Sequence, residues 1–163
     1  MDQIRDRLWN GQAEQGADYL AAVVEQYKTY VDMADRVSAR RSAANTFFLT
    51  LNSAIFTLFG VIWTGKPTSA PWWLVVPLLA LLLQCWAWFS LVRSYRQLNN
   101  AKFQVIGALE ERLPASPYWK AEWVELGKGE DPKRYRSLSS LEQLVPVSFA
   151  VLYVMGFVAA MAA

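Results

Sequence analysis

The sequence predicts an all-α membrane protein: three transmembrane helices, arranged as a hairpin plus a C-terminal helix, with a helical cytoplasmic part. Three observations predict it. Three apolar runs each hold about 18–21 residues without a charge, which matches a hydrocarbon core of about 30 Å at about 1.5 Å per residue. Hydrophobic residues make up 54 % of the 163-residue chain, above the roughly 45–50 % usual in soluble domains. No alternating strand pattern and no internal repeat is present.

The first run is Thr46 to Trp63, the second Trp72 to Val92 and the third Leu144 to Ala163. Gly65, Lys66, Pro67, Ser69, Ala70 and Pro71 separate the first two, a tight loop that makes them an antiparallel hairpin. The third is poorer in leucine, so it reads either as a full span or as a tilted, partly inserted helix. Trp63, Trp72 and Trp73 cluster at one end of the hairpin, and Trp86 and Trp88 lie near the other. Tryptophan favours the headgroup level, so both groups read as belts. Trp86 is also deep enough to be a packing residue.

Lysine and arginine set the orientation. Arg36, Arg40 and Arg41 precede the first run, Arg93, Arg96 and Lys102 follow the second, and Lys133, Arg134 and Arg136 precede the third. The hairpin loop has only Lys66. The positive-inside rule then predicts a cytoplasmic N-terminus and a C-terminus on the opposite side. Four regions follow: 1–45, a cytoplasmic N-terminal helical region; 46–92, the transmembrane hairpin; 93–143, a cytoplasmic helical region; and 144–163, the C-terminal transmembrane helix. Residues 1–18 carry charges and no apolar stretch, so no signal peptide is expected and the first span acts as its own signal.

Residues 17–44 read as a long helix. Leu20, Val24, Tyr27, Val31, Ala34 and Ser38 follow alternating spacings of four and three. Such a seam serves either packing within the subunit or an oligomer contact. Ser94 to Leu113 reads as helix with Phe103, Ile106, Leu109 and Leu113 on one face, ended by Pro114. Ser116 and Pro117 offer an N-cap and a first-turn proline, and Gly127 a stop. Tyr118, Trp119 and Trp123 between them form an aromatic cluster for a small core, the membrane surface or a protein partner. A polar loop covers 127–136. Ser139 with Glu142 makes a capping-box pattern, and Pro146 falls early in the last helix.

Composition excludes several functions. There is no histidine, the commonest general base and metal ligand. The single Cys85 cannot form an intrachain disulfide. A net charge of +2 gives no basic excess for nucleic acid. No phosphate loop, metal-ligand cluster or nucleophile–base pair is present. Glu110–Glu111 and Glu130–Asp131 read as solvated charge. No enzyme activity, metal or cofactor is expected.

The first span is unusually polar. Asn45, Thr46, Thr50, Asn52, Ser53 and Thr57 interrupt it, and Asn52, Ser53, Phe56 and Gly60 adjoin on the helix surface. Asparagine in hydrocarbon needs a partner or water, so Asn45 and Asn52 serve either interhelical hydrogen bonds or a pore-lining stripe. The third span has Ser148, Leu152, Gly156 and Ala160 at four-residue spacing, which suits close helix approach. No Asp, Glu, Lys or Arg lies within the spans, against an ion-coupled carrier. Three helices cannot enclose a pathway alone, so any channel must come from assembly. Arg40, Arg41, Arg93 and Arg96 stand where helices meet the membrane and can bind lipid headgroup phosphates.

The flanks of the spans carry a further pattern. YKTYVDMADRVSARRSAANTFFLTLNS (Tyr27 to Ser53), SYRQLNNAKFQVIGALEERLP (Ser94 to Pro114) and YRSLSSLEQLVPVSF (Tyr135 to Phe149) together resemble the RipA-family octameric membrane proteins of bacteria. With the spans, the resemblance covers the chain from about Tyr19 to Tyr153. It implies a small inner-membrane protein assembled as a ring of identical subunits, with no cofactor. The leading expectation is a homo-oligomeric membrane scaffold or pore. The alternatives are a membrane-disrupting pore effector of bacterial defence and a membrane-anchored binding module for a cytoplasmic protein.

Overall fold

The computed structural model describes residues 2–9, 18–64, 74–129 and 138–162. The expectations for the hairpin loop, for Trp72 and Trp73, for the Trp63 side chain, for Glu130–Asp131 and for Lys133, Arg134 and Arg136 lie outside them. The described residues are almost all helical, with no strand among them. In chain order the elements are α1 (Asp2–Leu8), α2 (Tyr19–Thr64), α3 (Val75–Glu110), a π-helical turn (Pro117–Glu122), α4 (Trp123–Glu125), a 3-10 turn (Gly127–Gly129) and α5 (Leu138–Ala162).

α2 runs for 46 residues because nothing in it breaks a helix. It holds no proline, and its one glycine, Gly60, lies in the last turns. α3 carries Pro77 in its first turn, where the missing N–H costs no helix bond. It ends at Glu110, short of the expected Leu113. There the backbone tightens, with Arg112 N–H donating to Leu109 O and Leu113 N–H to Glu110 O, both at 3.1 Å. Pro114 forces this by excluding helical geometry from the residue before it. α5 starts at Leu138, ahead of the apolar run, and keeps a buried Pro146 inside. α2, α3 and α5 are each long and apolar enough to cross a membrane, which agrees with the three expected spans.

The chain packs as two units. The first comprises Met1–Arg40 and Tyr95–Ser137, and the second Arg41–Ser94 and Leu138–Ala163. In the first, α2 buries Val23 and Ala34 while α3 buries Ile106, Ala108 and Leu109. In the second, Leu81, Cys85 and Tyr153 form a small core with Ile55, Leu78, Phe149 and Ala150 packed on it. Much of the second unit's apolar surface stays uncovered, including Leu58, Val76, Leu83 and Met155. In water that surface would drive aggregation, whereas lipid tails solvate it without penalty.

Candidate functional site

In the second unit, Tyr153 and Cys85 converge on Asn52. Its side chain is fully buried, placed by α2 toward α3 and α5. The amide nitrogen donates to Phe48 O at 2.7 Å. The amide oxygen accepts from the Tyr153 hydroxyl at 2.8 Å and, more weakly, from the Cys85 thiol at 3.9 Å. Tyr153 also approaches Asn52 O at 3.3 Å. One side chain thus ties all three membrane helices. Lipid offers no competing partner, so these bonds occupy groups that would otherwise be unsatisfied.

One layer along, Asn45 accepts from the Trp88 indole N–H at 2.8 Å. Trp88 is 1 % exposed. It stacks on Phe48 at 5.5 Å between centroids and leans on Phe149 at 6.1 Å. The belt reading of Trp88 is therefore corrected: the ring is a core residue whose N–H needs the Asn45 oxygen. Trp86, by contrast, is 68 % exposed in the subunit. At the same end Arg41 Nε lies 3.3 Å from Glu142 Oε2, with both side chains mostly covered. Glu142 thus faces Arg41 on α2. The Ser139 side chain of the expected capping box lies outside the described residues.

The candidate pore residues divide. Asn45 and Asn52 point into the subunit and are bonded there. Ser53, Gly60 and Gly156 lie on the outside, and a Cβ added at either glycine would meet nothing within 4 Å. Gln84 encloses its amide nitrogen without an acceptor among the described residues, as Asn99 does its amide oxygen without a donor. Among the headgroup candidates, Arg40 and Arg93 are exposed, Arg96 is half-buried, and Arg41 is turned toward Glu142. Of the seam residues, Leu20 is exposed, Val24, Tyr27 and Val31 are half-buried, and Ala34 is buried within its own unit.

The first unit has its own polar centre, which the sequence reading missed. Glu110 is 1 % exposed, so its reading as solvated charge is wrong. Its carboxylate accepts from Ser116 Oγ at 2.6 Å, from the backbone N–H of Tyr118 at 3.0 Å and of Trp119 at 2.9 Å, and from the Tyr27 hydroxyl at 3.2 Å. Two of these donors open the π-helical turn, where a negative charge is favoured. Ser116 caps the same turn by accepting from Lys120 N–H at 3.3 Å. Burial, and then the Glu110 carboxylate beside it, push the Tyr27 phenol up to about 12. Gly107 is required one turn before Glu110, because a Cβ there would stand 2.7 Å from the Trp119 ring. Trp119 stacks on Trp123 at 6.4 Å, and Tyr118 meets Phe103 edge-on at 6.0 Å. Nearby, Arg112 lies 3.7 Å from the Trp9 ring centre and donates to the Tyr19 hydroxyl. The sequence signals near this centre were the Ser116-Pro117 cap and the Tyr118, Trp119 and Trp123 cluster; Glu110 itself gave none, since glutamate doublets are common on exposed helices.

The model of the octameric membrane protein family (8xMP) matches residues 24–162. The chain belongs to that family. The match spans both polar centres, from just before Tyr27 to beyond Tyr153, and leaves the Trp9 contact outside it. It carries the octameric membrane protein description and not the RipA name used for the resemblance. No curated protein and no solved structure gives a match. An octameric membrane protein family accounts for a membrane protein that associates with itself.

Proposed function

We propose that the protein is a ring-forming homo-oligomeric scaffold of the bacterial inner membrane. The N-terminal helix and residues 93–143 lie in the cytoplasm, and the C-terminus lies across the membrane. One observation carries the choice of scaffold over pore. The asparagines that could have lined a wet path are bonded inside the subunit, Asn52 to Tyr153 and Asn45 to Trp88. What the spans leave outside is largely hydrocarbon, with Phe47, Leu58, Val76 and Leu83 among the exposed side chains. Such a surface suits lipid and neighbouring helices better than a water column. Two measurements test the reading together: native mass in mild detergent, and ion flux through proteoliposomes. A defined oligomer without flux is expected. Monomer alone, or conductance above protein-free vesicles, would sink it.

One observation favours the pore as a second reading. Thr46, Thr50, Ser53 and Thr57 are all exposed on α2, spaced four, three and four apart on one face. Turned to a ring axis, they would give a hydroxyl-lined path. Overproduction should then depolarise cells, as a defence effector would, and Ser53→Leu should relieve it. The binding-module reading has less support, because Trp119 is spent on Gly107 and Tyr118 on Phe103 and Glu110.

A further inference from the structure

An apolar groove of about 490 Å³ runs between α3 and α5, lined by Leu82, Cys85, Trp86, Pro146, Val147 and Val151 among others. No α2 residue is among the described residues that line it. α3 turns Trp88 toward α2 and Cys85 toward both Asn52 and the groove, while Leu82 and Trp86 face the groove alone. The second unit therefore has two different outward features: this groove, and the free face of α2 that carries Thr46, Thr50 and Ser53.

We propose that the groove receives the free face of α2 from a second copy of the chain, with Trp86 of one subunit meeting Thr50 of the next. The proposal rests on the homo-oligomeric reading and adds the surface through which the copies join.

Symmetry, a missing hydrogen bond and depth select this occupant. Copies inserted in one membrane share one topology, so a two-fold axis in the membrane plane is impossible and a closed octamer must be cyclic. Cyclic assemblies larger than dimers use heterologous contacts, in which two different surfaces of each copy meet. The groove and the α2 face are two such surfaces.

A missing hydrogen bond points to the same occupant. Among the described residues, the exposed Trp86 indole makes none, although it stands six residues inside Val92, or about 9 Å at about 1.5 Å per residue. Acyl chains offer that N–H nothing, and a polar group left bare in hydrocarbon is costly. The Thr50 hydroxyl is exposed on α2 and likewise has no partner among the described residues. It supplies the acceptor.

The two groups also match in depth. Within a subunit Trp88 meets Asn45 and Phe48, and Cys85 meets Asn52. Trp86 therefore stands at about the depth of Thr50. In a ring about the membrane normal every copy sits at one height, so the two groups of neighbouring copies come level without any slide. The small Thr46, Thr50 and Ser53 side chains let the α2 backbone approach the groove closely.

The test is disulfide trapping in native membranes of the full chain, with Cys85→Ser to remove the one native thiol. Thr50→Cys combined with Trp86→Cys, oxidised with copper-phenanthroline, should give a ladder of covalent species beyond dimer. Each single variant should remain monomeric on a denaturing gel. If Trp86→Cys unseats the contact, Thr50→Cys with Val151→Cys keeps the indole and asks the same question. A covalent dimer from Thr50→Cys alone would show a symmetric α2–α2 contact and overturn the proposal. So would an intact native-size oligomer in which neither double variant cross-links, which would leave lipid in the groove. A native mass of one subunit would instead remove the homo-oligomeric reading itself.

Discussion

The two units of the chain are each organised around one fully buried polar side chain, and the two differ in kind. In the first it is the carboxylate of Glu110, met by four donors, two of them backbone N–H groups. In the second it is the neutral amide of Asn52, met by a phenol, a thiol and its own helix. On the proposed topology, which leaves the first unit in water and the second in the membrane, the difference follows the solvent. A carboxylate can be buried when several donors surround it and aqueous surroundings keep the unit together. Within hydrocarbon a charge costs about 2.5–3.5 kcal/mol even at the low end, so an amide does the same joining work. Both side chains fix the chain's geometry through distant partners, Glu110 to Tyr27 and Asn52 to Tyr153.

Removing the charged centre should have the largest effect. Glu110→Ala strips the partner from Tyr118 N–H and Trp119 N–H, which cannot turn toward water without unwinding the π-helical turn. Each buried donor left bare costs about 1–3 kcal/mol, so a loss of about 3 kcal/mol is expected. Thermal unfolding in detergent measures it, and near-UV circular dichroism should lose the stacked Trp119–Trp123 signal. A variant as stable as the parent, with that signal intact, would break the idea that Glu110 holds the turn.

Asn52→Leu should cost less, about 1 kcal/mol, because interhelical hydrogen bonds in membranes average well below two. The leucine also fills most of the vacated space. The Tyr153 hydroxyl keeps the Asn52 main-chain oxygen as a weaker acceptor at 3.3 Å. Equal losses for Asn52→Leu and Glu110→Ala in the same detergent would erase the contrast between the units.

The spans were legible because hydrocarbon length and charge exclusion act on composition, which sequence carries directly. The long helix entering the first span, seen from Tyr19, and a break ahead of Pro114 were legible for similar local reasons, although α3 stops at Glu110 and not at Leu113. The centres were not. Glu110 sits in a doublet with Glu111, and only the fold decides that one is buried and the other exposed. Trp88 and Trp86 have the same local setting, yet two residues of helix rotation put one against Asn45 and the other outside. Arg41 and Glu142 are far apart in the chain, and their 3.3 Å approach depends on how α2 and α5 pack. Asn52 was recognisable as a residue in need of a partner. Tyr153 as that partner was not, since spacing within one helix says nothing about the facing one.

The smallest expected effect is a pH dependence confined to the charged centre. Tyr27 is held protonated to about 12 in the fold, first by burial and then by the Glu110 carboxylate, whereas an unfolded tyrosine ionises near 10. Between those values the unfolded chain releases a proton that the folded chain keeps. The linkage relation then gives stability that is intact below about pH 10 and falls as pH rises toward 12. Tyr27→Phe removes the titrating group, loses about 1 kcal/mol at neutral pH with its hydrogen bond, and should flatten that alkaline decline. The readout is the difference in slope between parent and variant, since other tyrosines contribute equally to both. Identical slopes would mean that Tyr27 gives up its proton as readily folded as unfolded. The Glu110 centre would then be open to water, and the contrast with the Asn52 centre would rest on partners alone.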